Sequence, residues 1–315
     1  MKLKELRIAN ITVPIPIIQG GMAVRISTAP LAAAVANEGG IGVIAGTGMS
    51  VAELKNEIRM ARKLTKGVIG VNVLFAVKEF ASLVKGAIEE GIDLVISGAG
   101  FSRDMFSWGK ESNTPIVPIV SSSKLAIMAE RLGAAAVVVE GKEAGGHLGT
   151  DRSMREVLPE VCKAVKIPII GAGGIIDGRD IAEVINLGAN GVQMGTRFAA
   201  SEESNASDEM KELYVNSTIE DVVLIKSPVG LPGRGLKNSF YNLIESGNVP
   251  KIDNCIGCLK RCSRNFCIMK ALVNACKSGD PDKALVFSGE YVHKIKEILP
   301  VKTIFKNLLD EVAEI

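Results

Sequence analysis

Eight short runs rich in Val and Ile punctuate the first two thirds of the chain, most ending in glycine and most followed by a polar turn and an amphipathic stretch. They are PIPIIQGGM (14–22), IGVIAGTG (41–48), VIGVNVLF (68–75), DLVISGAG (93–100), PIVPIV (115–120), AAVVVEG (135–141), PIIGAGG (168–174) and GVQMGTRF (191–198), recurring every 20 to 33 residues. Such runs lack polar alternation, so both faces of each strand are expected to be buried, as in a parallel sheet. The helices expected between them include TAPLAAAVANE, VAELKNEIRMARKL, VKEFASLVKGAIEE, SKLAIMAERLG, SMREVLPEVCKAV and GRDIAEVINLG. Eight β–α units in about 200 residues fit a (β/α)8 TIM barrel, with a doubly wound sheet as the competing arrangement.

After Phe198 the pattern changes. Residues 199–218 are polar and helical in character, 219–250 are turn-rich (SPVGLPGRGLKN), 251–276 hold five of six cysteines, and 281–315 return to amphipathic helix. The expected division is therefore a barrel over 1–198 and a helical, Cys-rich C-terminal appendage over 199–315. The 37 basic and 35 acidic side chains nearly cancel, which argues against nucleic acid as a partner. The longest apolar stretch, Val68 to Val77, is interrupted by Asn72 and falls short of the ~18 residues a membrane span requires. The opening MKLKELRIANITVP has no apolar signal region, so a cytoplasmic location with reduced thiols is expected, and no membrane partner.

Glycine clusters at the expected C-terminal ends of the strands, at 20–21, 46, 48, 98, 100, 141, 145–146, 173–174 and 195. Barrel active sites lie at that face, and glycine lets backbone approach a ligand closely. GAGGIIDGRD and MGTRF place Gly173, Gly174, Gly195 and the Thr196 hydroxyl where a phosphate group would be held. Neither a G-x-G-x-x-G opening a helix nor a G-x-x-x-x-G-K-[ST] occurs. His147, in EGKEAGGHLG after the sixth run, is the candidate acid/base, since an ordinary imidazole titrates near ~6.5. The only other histidine, His293, is expected to be solvated.

QGGM (19–22), GVN (70–72), EGKEAGGHLG (140–149), IPIIGAGGI (167–175) and GVQMGTRF (191–198) together resemble the FMN-dependent nitronate monooxygenase (2-nitropropane dioxygenase-like) family, which includes the flavin-type enoyl-acyl carrier protein reductases. The resemblance covers about residues 10–240. It implies a barrel holding FMN, with Gly21 and Met22 along the flavin, Asn72, Glu140 and Gln193 as polar contacts, and Gly145, Gly146, Gly173, Gly174, Met194, Gly195 and Thr196 around the rest of the cofactor. His147 would be the catalytic histidine. The implied substrate is an alkyl nitronate oxidised with O2 or, alternatively, an enoyl thioester reduced with NAD(P)H as electron donor. A homodimer stays open as the assembly. A non-redox sugar-phosphate barrel is disfavoured because no Lys stands at the strand ends.

Cys255, Cys258, Cys262, Cys267 and Cys276 form C-x2-C-x3-C-x4-C-x8-C. Four thiols within thirteen residues are able to converge on zinc or an iron–sulfur cluster, so the first four are carried as candidate metal ligands. Cys162, in EVCKAV, is expected to be a core residue.

Overall fold

The computed structural model describes residues 1–277, 280 and 283–315. Its first elements, β1 (Leu6–Ile8) and β2 (Ile11–Val13), form an antiparallel hairpin. Eight further strands, β3 (Ile17–Gln19), β4 (Ile41–Ala45), β5 (Val68–Leu74), β6 (Leu94–Gly98), β7 (Ile116–Val120), β8 (Val137–Glu140), β10 (Ile169–Ala172) and β11 (Gly191–Met194), close into a parallel barrel among the described residues. All eight coincide with the Val/Ile runs, and the doubly wound alternative falls because β11 pairs with β3 and shuts the sheet. Between β3 and β4 the backbone ladder is only Ile18 to Ile41, and the buried Gln19 amide strengthens it by accepting from Val43 N at 3.0 Å and donating to Val43 O at 3.1 Å.

The strands are apolar on both faces because each faces a different core. Leu6, Ile8, Ile11 and Val13 of the hairpin pack with Ile18, Val43, Leu94, Ile96, Val138 and Ile170 inside the barrel. Ile17, Ile44, Val71, Val95, Val139 and Val192 pack outward under the helices. These are α1 (Ala29–Asn37), α2 (Val51–Leu64), α3 (Phe80–Glu89), α4 (Arg103–Ser112), α5 (Ser123–Leu132), α6 (Met154–Ala164) and α7 (Gly178–Asn186). Local signals start and stop them: Ser50 caps α2, and Asp177 with Asp180 forms a capping box on α7. The sequence reading names no helix at α4, whose polar composition hides a Ser102 N-cap and a left-handed Asn113 stop at φ 55°.

Beyond the barrel strands lie α8 (Thr196–Ala199), α9 (Asp208–Asn216), β12 (Val222–Lys226), β13 (Pro232–Leu236), α10 (Ser239–Ser246), α11 (Ile268–Lys277) and α12 (Val301–Ala313). Two differences from the expected appendage follow. The segment is not wholly helical, since β12 and β13 pair and β13 adds to β9 (Gly146–His147), so the barrel loop and the later chain share one sheet. And α12 is barrel wall: Phe305, Ile304 and Leu308 join the outer core, Met1 donates its N-terminus to Val312 O at 2.8 Å, and Glu311 accepts from Gly178 N at 2.6 Å. The described residues between 199 and 300 thus supply what lies over the C-terminal ends of the strands. Pro281, where the helical tail is expected to begin, lies outside the described residues.

Candidate active site

Alternation along the strands decides which polar groups face inward. On β5 the outer core takes Ile69, Val71 and Val73, which leaves Asn72 inward; on β8 it takes Val137 and Val139, leaving Glu140; on β11 it takes Val192 and Met194, leaving Gln193. Ala172 is in register with both Glu140 and Gln193, so these residues share one layer at the mouth of the barrel. Small residues beside them, Gly20, Gly98 and Ala172, leave a cavity above the layer. Gly21 has no alternative there, because a Cβ would stand 2.3 Å from that of Asn72.

The cover is apolar and tied down. Val229, Leu259, Ile268, Met269, Leu272 and Phe287 line the outer side of the cavity. Leu259 is held by an antiparallel bridge to Val77, with Lys78 N donating to Cys258 O and Lys260 N to Ala76 O, both at 2.9 Å. Lys260 Nζ also donates to Phe75 O at 2.6 Å and lies 3.6 Å from the centre of the Phe75 ring. The Tyr214 hydroxyl donates to Phe287 O at 2.8 Å. His147 is reached from three sides: its backbone pairs with Gly233, its ring stands edge-on to Phe287 at 5.2 Å, and its Nε2 is 2.7 Å from Ser227 Oγ.

Burial disfavours the charged form of two ionisable groups of the cavity. Burial pushes the Glu140 carboxyl up to about 8 and the His147 imidazole down to about 4, because each would lose hydration on charging. Three polar atoms at the cavity have hydrogen-bonding capacity that the described residues do not use. Gln193 Oε1 and Ser288 Oγ are buried with no hydrogen-bond partner among the described residues, a costly state unless something polar occupies the cavity. Thr196 Oγ1 accepts from Gly289 N at 2.8 Å, which leaves its own hydrogen free to donate. Gly173 and Gly174, at φ 103° and 66°, turn the chain beside it in conformations side chains rarely adopt.

All thirteen residues expected to serve catalysis or cofactor, His147 with Gly21, Met22, Asn72, Glu140, Gly145, Gly146, Gly173, Gly174, Gln193, Met194, Gly195 and Thr196, line this one cavity. The sequence profile of the family described as Nitronate monooxygenase matches residues 4–87 and 76–311.

The chain belongs to the nitronate monooxygenase family.

A probable nitronate monooxygenase of Staphylococcus aureus strain JH9 is 30% identical, covering 97% of this chain and 96% of its own length. FabK from Thermotoga maritima superposes with a TM-score of 0.87 at 36% identity, covering 96% of this chain and 94% of that one. A nitroalkane oxidase from Streptomyces ansochromogenes gives 0.81 at 27%, covering 96% of both. The chain is accordingly an oxidoreductase of the nitronate monooxygenase family. Its match runs through residue 311, well past the stretch on which the sequence resemblance rests, so the cover belongs to what the family shares.

The metal expectation for Cys255, Cys258, Cys262 and Cys267 finds no support in the arrangement of the described residues. These four thiols border a second hollow, yet among the described residues no group of three or more His, Cys, Asp or Glu is arranged to hold a metal ion. The block has no regular structure before α11, and backbone bonds at Lys78, Lys260 and Ser263 set its course. Cys255 and Cys262 lie exposed while Cys258 and Cys267 turn partly inward; burial, then Cys267, pushes the Cys258 thiol up. Cys276 is apart on α11, buried with its thiol 2.9 Å from Asn205 O. Cys162 is half-buried on α6. His293 is not solvated: it is half-buried beside Tyr291, with Nδ1 enclosed and unpartnered among the described residues.

Functional residues the sequence reading missed are the cover groups, above all Ser227, Phe287 and Ser288. Nothing in KSPVG or VFSGE announces a site; these residues reach His147 and the cavity only through tertiary pairing. No described helix is long and apolar enough to cross a membrane.

Proposed function

We propose that this chain is an FMN-dependent oxidoreductase that oxidises alkyl nitronates, with His147 exchanging the α-proton that interconverts the neutral nitroalkane and its nitronate. The observation that carries the reading is one cavity holding a neutral imidazole together with the unpartnered Gln193 Oε1 and Ser288 Oγ. The residues fit the cofactor: Gly173, Gly174, Gly195 and the free Thr196 hydrogen would take its phosphate, Asn72, Glu140 and Gln193 its polar edges, and Gly21 with Met22 its ring. A Cβ at Gly195 would meet protein no nearer than Met22 Sδ at 3.9 Å, so that position opens onto the space the cofactor would use. When bound, FMN supplies the electron exchange between substrate and O2.

The chain's own groups set the electrostatics. With Glu140 protonated and His147 neutral, an anionic nitronate enters without like-charge repulsion. The nitronate left when a nitroalkane gives up its α-proton favours the charged imidazole beside it, so His147 is a better proton acceptor as that anion forms. The apolar cover of Leu259, Ile268 and Phe287 keeps bulk water from the reacting carbon. In this reading residues 1–198 carry the cofactor and the chain from 199 carries the cover, with α12 returning to the wall. We place the reaction in the cytoplasm, where reduced thiols persist.

A second reading has an observation behind it: identity to FabK exceeds that to the nitroalkane oxidase, 36% against 27%. It makes the substrate an enoyl thioester and NAD(P)H the donor. Anaerobic stopped-flow mixing separates the two. Loss of flavin absorbance with an alkyl nitronate, and none with NADH or NADPH, is the expected result; fast loss with a nicotinamide transfers the assignment to the reductase. A protein that takes up no FMN overturns both.

A further inference from the structure

We infer that the hollow bordered by the cysteine block is an electropositive antechamber that collects the anionic nitronate for the active-site cavity, with Lys78, Lys260 and Arg264 supplying the charge. This rests on the reading of an alkyl nitronate as substrate, and it names how the chain gathers the charged form in preference to the neutral nitroalkane.

The hollow encloses about 350 Å³. Lys78, Lys260 and Arg264 border it and no Asp or Glu does; Glu79 and Asp253, close by in sequence, are not among its lining residues. Lys260 Nζ donates to Phe75 O at 2.6 Å, a neutral acceptor that leaves its charge uncompensated. Lys78 Nζ would stand 3.2 Å from a Cβ at Gly257, so its ammonium lies against the block. None of the three cations forms an ion pair among the described residues. The chain as a whole carries only +2, so three uncompensated cations around one hollow are a local feature. The rest of the lining is thiol, glycine and apolar side chain, and walls of that kind focus the field of the cations onto the space between them.

The hollow and the active-site cavity share a wall. Leu259, Ile268 and Met269 line both. Leu259 and Ile268 are buried, whereas Met269 is half-buried, and its terminal methyl reaches the barrel loop at Gly48, where a Cβ would lie 2.6 Å from it. An unbranched thioether changes rotamer readily, so Met269 is the residue of this wall suited to swing aside. A nitronate concentrated over the cations thus lies one side chain away from the cavity, whereas a neutral nitroalkane gains nothing from the hollow.

The thiols provide a readout that needs no turnover. Cys255 and Cys262 are exposed and border the hollow. Their labelling in holoenzyme by dianionic dithiobis(nitrobenzoate) and by neutral dithiodipyridine is followed at pH 7 and low salt by mass spectrometry, each rate normalised to a small free thiol. The thiolate fraction cancels in the ratio of the two rates, which leaves the local potential. The anionic reagent is expected to be favoured, and Lys78→Gln/Arg264→Gln should cut its advantage about 3- to 10-fold. Added salt should do the same. In anaerobic stopped-flow mixing, the second-order rate constant for loss of flavin absorbance with propyl-2-nitronate should fall by a similar factor in that variant. The limiting rate at saturation, and the rate with neutral 2-nitropropane, should not move. Equal normalised reactivity of the two reagents in the wild type, or a nitronate rate constant indifferent to both the variant and salt, overturns the inference. Failure of the proposed reaction reads differently: a flavin that nitronate never bleaches removes nitronate as the occupant, while the thiol result stands.

Discussion

The barrel and its cover build the same cavity by opposite means. The strands place Asn72, Glu140 and Gln193 through ladder register, where a residue's position follows from counting by twos along a strand. The cover places Ser227, Leu259 and Phe287 through isolated bridges and single hydrogen bonds between segments far apart in the chain. One region is held mostly by backbone ladders, the other by a few specific contacts. The first is expected to tolerate change poorly on stability grounds, the second mainly on functional ones.

The sharpest break of that comparison is His147→Ala, at a residue that both regions hold. It should lower kcat by about 10²–10⁴-fold with FMN content intact; unchanged turnover would make the imidazole structural. Next comes a contrast of two glycines. In Gly42→Ala the new Cβ would lie 1.8 Å from Ala32 O, backbone against backbone, and urea unfolding should show a loss of about 3 kcal/mol. In Gly247→Ala, at the end of α10, only the φ of 71° is offended and space is open, so a loss of about 1 kcal/mol is expected. Similar losses at the two sites would erase the distinction drawn between barrel and cover.

Glu140→Gln probes the polar layer through pH. The carboxyl is pushed up to about 8 in the fold against an ordinary value of ~4.3 unfolded. Between those values the unfolded chain sheds its proton and the folded chain keeps it, so cofactor-free wild type should lose stability as pH rises, levelling off above 8. The amide has no proton to lose. At about 1.4 kcal/mol per pH unit, its stability relative to wild type should therefore grow across that window by several kcal/mol, and parallel pH curves would contradict a carboxyl held neutral in the fold. The smallest effect is expected in the cysteine block: Cys255→Ser and Cys262→Ser should change stability by no more than ~0.5 kcal/mol, and a chelator should leave activity unaltered. A chelator-sensitive melting temperature would restore the metal reading.

Much of the barrel was legible because burial on both faces leaves a run such as VVVE or IGVIA no other role. The glycines at 21, 173 and 174 were readable as a ligand-facing edge because close approach and positive φ leave few substitutes. Less was legible at α4, where polar residues on an exposed face carry little hydrophobic signal, and in 219–250, where SPVGLPGRG reads as turns although Val222–Lys226 and Pro232–Leu236 pair around them. The cysteine spacing suggested convergence, but spacing along a chain sets only how near thiols are able to come. The path of the backbone, anchored at Phe75 to Lys78, sets how they lie.

The amino-acid sequence by itself determined the repeat, and with it the parallel barrel and the face on which ligand groups gather, because local periodicity and glycine chemistry act over a few residues. Tertiary structure alone decided that α12 closes the wall, that β13 lies beside His147, and that Ser227 meets its imidazole. Those contacts join residues eighty or more positions apart. Their free energy comes from the packed whole rather than from any segment, so no local pattern in the chain records them.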